Sequence, residues 1–207
     1  MAIAAYTYAK MNLNALKGRL PDLSAAETIV KVTLLNDNYA PAQNRHEVFT
    51  APAWNATTEY SNGDYVIPTT ATGNIYKCTA AGTSGETEPT WPITDAETIE
   101  DAGITWECVA SGDIAFYEIS GDGYTSGGTE ITNKTLQDIG GAVFFRGDDV
   151  QWSESTIIAR YAVIYETGSN ILLAYQDFGE NKATSNTEFN ILWHGDGIVI
   201  ITALQPE

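Results

Sequence analysis

The chain has 207 residues, enough for one large β domain or one domain with a small module, and its hydrophobic content of 43% can fill a real core. Ten Lys and Arg against 27 Asp and Glu leave a net charge of −17; a groove that tracks phosphates needs the opposite sign, which argues against nucleic-acid binding. No run of about 18 apolar residues is present, so no membrane span is expected, and the start Met-Ala-Ile-Ala-Ala-Tyr lacks the basic flank and long apolar stretch of a secretory signal.

In chain order, residues 1–20 read as a helix. Tyr6, Ala9, Leu13, Leu16 and Leu20 recur at helical spacing as one apolar stripe, and Pro21 stops the pattern. The same segment carries Lys10, Lys17 and Arg19 and no acid, so it is +3 on a chain whose remainder is −20. Such a helix either covers its own sheet or acts in assembly, bundling with copies of itself or seating on an acidic shell. Tyr6, Lys10, Leu13, Leu16, Lys17 and Arg19 are the candidate assembly residues.

Ile29 to Leu35 reads as a strand. Residues 51–112 then stand apart as a small inserted β module, with Ala51-Pro52-Ala53 before it and Ala110-Ser-Gly-Asp113 after it. Three of the five tryptophans, Trp54, Trp91 and Trp106, and both cysteines, Cys78 and Cys108, fall inside. The cysteines lie in two strand-like patterns, Tyr-Lys-Cys-Thr and Trp-Glu-Cys-Val. They are either buried thiols or, if those strands pair closely, partners in a bridge. Trp54, Tyr60 and Tyr76 are expected in the module's core. Trp91, held between Pro89 and Pro92, and Tyr65 are candidate exposed faces for a sugar or a protein partner.

Beyond the module, short apolar or alternating segments at 115–119, 129–136, 142–146, 156–166, 171–177, 188–193 and 198–203 are separated by Gly- and Asn-rich turns. The pattern predicts an all-β chain: an antiparallel β-sandwich with an N-terminal helix and a small inserted β module. Residues 1–50 and 113–207 form one domain in this reading, with 51–112 hung from a loop.

No enzyme chemistry is legible. His46 and His194 are the only histidines, no Gly-x-Ser-x-Gly elbow exists, and neither cysteine lies beside a histidine in sequence. The Gly-rich turns run strand to strand, so none cradles a phosphate ahead of a helix. Asp122, Asp148, Asp149 and Asp196 match no EF-hand loop, and two thiols without a histidine between them do not make a zinc site. No catalytic residue, metal or cofactor is expected.

Two resemblances bear on role. Trp54, Tyr60, Gly63-Asp64, Val66 and Tyr76-Lys77 follow the pattern of chitin- and cellulose-binding modules carried by bacterial chitinases, in which the Gly-Asp turn folds a hairpin. The exposed aromatic pair those modules place after Tyr-Lys is replaced here by Thr79-Ala-Ala-Gly82-Thr-Ser-Gly85. That version, with Glu88-Pro-Thr-Trp-Pro92, resembles modules scattered through bacteriophage virion proteins. In the host domain, Ile29–Leu35, Ser120–Gly128, Thr156–Tyr165, Leu172–Gly179 and Ser185–Trp193 resemble a family of small tailed-phage structural proteins. The resemblance implies a capsid decoration or head-fibre (cement) protein in the virion, assembled in the host cytoplasm. It would display an outward module, sit on the major capsid protein or another virion protein, and form a homotrimer. The alternative is a tail or fibre adhesion protein that binds host surface polysaccharide through the module.

Overall fold

The computed structural model describes residues 5–202, and the chain is all-β. Strand β1 (Tyr6–Thr7), helix α1 (Ala9–Leu16) and β2 (Val30–Leu35) come first. The middle segment holds β3 (Glu59–Tyr60), β4 (Tyr65–Val66), β5 (Ile75–Ala80), β6 (Gly82–Thr83), β7 (Thr98–Asp101) and β8 (Ile104–Val109). After a 3-10 turn (Ile114–Tyr117) come β9 (Thr129–Glu130), β10 (Thr135–Ile139), β11 (Ala142–Arg146) and β12 (Val150–Ser155). The series closes with β13 (Ile158–Glu166), β14 (Leu172–Ala183), β15 (Thr187–Ile191) and β16 (Val199–Thr202).

The chain divides into two compact units, one of residues 1–47 with 118–207 and one of residues 48–117. The second unit is wider than the 51–112 segment marked by composition. Its two ends bond to each other: Thr50 Oγ1 donates to Asp113 Oδ1 at 2.8 Å and the Ala115 N–H to the Phe49 carbonyl at 3.2 Å. Burial raises the Asp113 carboxyl above its ordinary value, and the Thr50 hydrogen bond only partly opposes that. The segment 115–119, read as a strand, is instead this 3-10 turn followed by a single bridge from Glu118 to Leu35.

In the larger unit every sheet is antiparallel: five strands in the order β1-β14-β13-β2-β9, three as β10-β11-β16 and two as β12-β15. Strands β2 and β13 are central and covered on both faces, which is why Leu34-Leu35 and Ala162-Val-Ile-Tyr165 run apolar rather than alternating. One face of the five-stranded sheet, with Val32, Leu34, Ala162, Ile164 and Ala174, packs into a core shared with Phe145 of β11, Val150 and Trp152 of β12, Phe189 and Ile191 of β15 and Val199 of β16. The opposite face is closed by Tyr39, edge-on to Tyr161 at 5.6 Å, and by Tyr8, which packs on Tyr175 at 5.3 Å. Tyr8 and Tyr39 share a 2.6 Å hydrogen bond, and Tyr39 meets the buried His46 Nδ1 at 3.0 Å.

The loop 120–128 is locked by one carboxylate. Glu118 Oε1 accepts from Thr33 Oγ1 (2.8 Å), Tyr124 OH (2.6 Å) and Gly127 N–H (2.7 Å), and Oε2 accepts from Ser126 Oγ (2.9 Å). Burial, followed by the hydrogen bond to Glu118, pushes the Tyr124 phenol well above its ordinary value. Gly128 closes the loop at φ +73°, where an added Cβ would lie 1.9 Å from the Val32 carbonyl oxygen, so only glycine fits. Strand β12 lies between the strands expected at 142–146 and 156–166, where the residue pattern predicts none.

Helix α1 departs from the predicted phase. Tyr6 and Thr7 are not helical but pair with Tyr175 and Ala174, and the Tyr8 N–H bonds to the Leu173 carbonyl at 3.1 Å. The helix therefore starts at Ala9 with Tyr8 already buried, and Met11 and Asn14 follow it inward. The predicted stripe of Ala9, Leu13 and Leu16 is the outward face, with Leu16 88% exposed.

Candidate assembly surface

The smaller unit builds its core on strands β4-β5-β8-β7, with β3 and β6 paired separately. The turn at Gly63-Asp64 thus does not close a β3–β4 hairpin; it hands the chain from one sheet to the other, with the Gly63 N–H on the Cys78 carbonyl at 2.8 Å. Trp54, Val66, Tyr76, Cys78, Ile104, Trp106 and Cys108 are buried together, and Tyr60, Trp91 and Ile99 pack on their rim. Cys78 lies opposite Trp106 and Cys108 opposite Tyr76, so both cysteines share one face of the β5–β8 ladder; both are free thiols.

A residue that sequence reasoning missed organises this core. Asp101, buried at the end of β7, accepts from Trp54 Nε1 (2.8 Å) and Trp106 Nε1 (3.1 Å) on Oδ2 and from the Gly85 N–H (2.8 Å) on Oδ1. Two indoles buried in so small a unit need acceptors for their N–H groups, and that need was the available signal.

The two candidate platforms are not free aromatic faces. Trp91 is half-buried, stacks on Tyr76 at 4.2 Å, meets Trp106 edge-on at 6.0 Å and donates its Nε1–H to Glu88 at 2.7 Å. Burial pushes the Glu88 carboxyl up, but hydrogen bonds from Thr69 and Trp91 outweigh it and hold the group below the ordinary glutamate value. Tyr65 is half-buried under the Lys77 ammonium, 5.0 Å from its ring centre.

The larger unit carries the more telling surface. Leu136, Val143 and Ile201 lie on one face of the β10-β11-β16 sheet; Ile139 and Ile200 lie on the other, and all five are exposed. The first face and α1 enclose an apolar groove of about 200 Å³, with Met11, Ala15, Leu20 and Leu23 forming its other wall. Leu13 and Leu16 add exposed apolar area on α1. The signal was present in Ala-Val-Phe-Phe and Val-Ile-Ile, runs that do not alternate although they sit in a thin sheet with a packed core beneath one side.

Charge sets this region apart. The three strands contain one acid, Asp138, and one base, Arg146, on a chain of net charge −17. Lys10 and Lys17 lie on and just after the helix. Of the six assembly candidates, Lys10, Leu13, Leu16 and Lys17 share α1 and its C-terminal end. Tyr6 is exposed but stacked on Tyr175 at 5.3 Å, and Arg19 turns to the buried Glu47 at 3.8 Å. Among the described residues no three His, Cys, Asp or Glu side chains gather to hold a metal ion, and no helix is long and apolar enough to cross a membrane. No family model, curated protein or solved structure matches this chain.

Proposed function

We propose that this chain is a non-catalytic structural protein of a bacteriophage particle, a capsid decoration or head-fibre component that attaches through α1 and the apolar face of the β10-β11-β16 sheet. The carrying observation is the exposed apolar, non-acidic surface on a strongly acidic molecule. Like-charged proteins of this kind repel one another and most acidic surfaces, so association is favoured where the charge lapses and apolar area is on offer. The resemblance of residues 27–50 and 113–203 to small tailed-phage structural proteins names the setting. The polysaccharide-binding alternative is weakened because a ring face of Trp91 is taken by Tyr76 and Tyr65 lies under Lys77.

Rebinding of recombinant protein to particles stripped of it tests the proposal. Leu13→Glu with Leu16→Glu should abolish rebinding while leaving the melting temperature unchanged, because both side chains already face solvent. Tyr65→Ala should rebind normally. Undiminished rebinding by the double variant would remove this surface from attachment. Copy number per particle, hundreds or a few, separates a head position from a tail position.

A further inference from the structure

We infer that two copies of this chain pair through strand β10, edge to edge and antiparallel, about a two-fold axis at Gln137. The inference concerns self-association alone and does not depend on any shell. All five residues of β10 are exposed, and on its outer side the strand has no partner among the described residues. Edge strands are ordinarily guarded by charged side chains, lysine above all, by a proline, a bulge or extreme shortness. Strand β10 has no lysine, proline or bulge, and Asp138 is its one charge. It pairs with β11 over five residues in unbroken register. The preceding Lys134 does not guard it, because its ammonium turns back to Glu130 and to the Ile131 carbonyl, 3.4 Å from each.

The hairpin fixes which backbone groups are on offer. Ile139 and Ala142 flank the two-residue turn Gly140-Gly141, where both glycines have positive φ (+63° and +82°). In an antiparallel ladder the pair flanking such a turn exchanges both its hydrogen bonds, and bonded pairs alternate along the strand. Thr135, Gln137 and Ile139 therefore spend their N–H and C=O groups on β11. Leu136 and Asp138 point theirs outward.

A second β10 in antiparallel orientation, centred on Gln137, places Leu136 of each copy opposite Asp138 of the other. Each of those two pairs is a bonded pair, which makes four backbone hydrogen bonds, while Gln137 faces itself in the non-bonded position on the axis. In this register Asp138 never sits directly opposite its own copy, and the sheet becomes six-stranded with its apolar faces continuous. Charge favours this place over others, since β10, β11 and β16 together are neutral on a chain of −17. A symmetric isologous contact closes as a dimer, in place of the trimer that the family resemblance implies.

Sedimentation equilibrium on the particle-free full-length chain should show a monomer–dimer equilibrium. Leu136→Pro deletes an outward N–H and no intrachain bond, hence two hydrogen bonds per dimer, and should weaken association about tenfold or more while the far-UV circular dichroism is retained. The register has its own test. Gln137→Cys should yield a disulfide-linked dimer on mild oxidation, because the two residues face each other, whereas Ile139→Cys should not; Cys78 and Cys108 are buried and give no background. A full-length chain that stays monomeric throughout, or that sediments as a trimer, would overturn the inference, as would cross-linking of Ile139→Cys in preference to Gln137→Cys.

Discussion

Asp101 ties the smaller unit together because one carboxylate serves two indole N–H groups and a backbone N–H. Asp101→Ala would leave those buried donors without their acceptor, at about 1–3 kcal/mol for each group left unsatisfied, so a loss of about 3 kcal/mol or more is expected. Trp54→Ala, a large-to-small change in the core, should lose about 3–5 kcal/mol. Trp91→Ala removes a rim residue that stacks on Tyr76, so a smaller loss of about 1–2 kcal/mol is expected. Denaturant melts followed by tryptophan fluorescence give the ranking, and a Trp91 effect as large as that of Trp54 would contradict it. Tyr76 adds a pH dependence. Burial, and after it the neighbouring Cys108, pushes its phenol from 10.0 up to about 12. A raised value means that folding favours the neutral phenol, so the contribution is full below about pH 10 and is lost as pH rises through about 12. Melts of wild type and Tyr76→Phe between those limits should converge as pH rises; parallel curves would show that the phenol does not titrate with unfolding.

At the scale of elements, helix α1 illustrates how pairing overrides periodicity. The stripe at Ala9, Leu13 and Leu16 is a genuine helical pattern, yet β1 pairing and the Tyr8–Tyr39 hydrogen bond anchor the chain just before the helix and fix its rotation. Met11 is inside as a result and Leu16 outside. Met11→Ala should therefore lose about 2–5 kcal/mol, whereas Leu16→Ala should stay within about 0.5 kcal/mol. Equal effects in urea melts would return the helix to its periodic phase. The apolar stripe is then free for contact with another surface, which the attachment proposal uses. The β10-β11 hairpin shows the same division of labour: its glycine turn is local, but which of its side chains stay exposed and which, like Phe145, join the core depends on the elements that lie beside it.

For the whole molecule, division into two units gives a direct expectation. The chain enters the smaller unit at Val48 and leaves it at Tyr117, and the Thr50–Asp113 and Phe49–Ala115 bonds lie within that unit. Replacing residues 48–117 with a short Gly-Ser linker should leave a cooperative thermal transition and the antiparallel β circular dichroism of the remainder. Loss of cooperativity would mean that the larger unit needs the smaller one to fold. The same deletion should leave particle rebinding intact, since the proposed attachment surface belongs entirely to residues outside it.

The sequence by itself determined what depends on neighbours in the chain. Strand segments such as Val30–Leu35 and Ala142–Arg146 were legible from β-branched and aromatic runs between Gly- and Asn-rich turns. The core places of Trp54 and Tyr76 were legible because a unit so small has few large side chains with which to build a core, whereas Tyr60, expected beside them, sits on the rim. Tertiary structure alone decided the rotation of α1, the covering of Trp91 by Tyr76, the convergence of two indoles on Asp101 and the open edge of β10. Each of these is set by strand register or by contact between residues far apart in the chain. A shift of one residue in register turns every side chain of a strand to its other face, and where no short turn fixes the register it is selected by which face finds a partner to bury it, a contact made with residues distant in the chain.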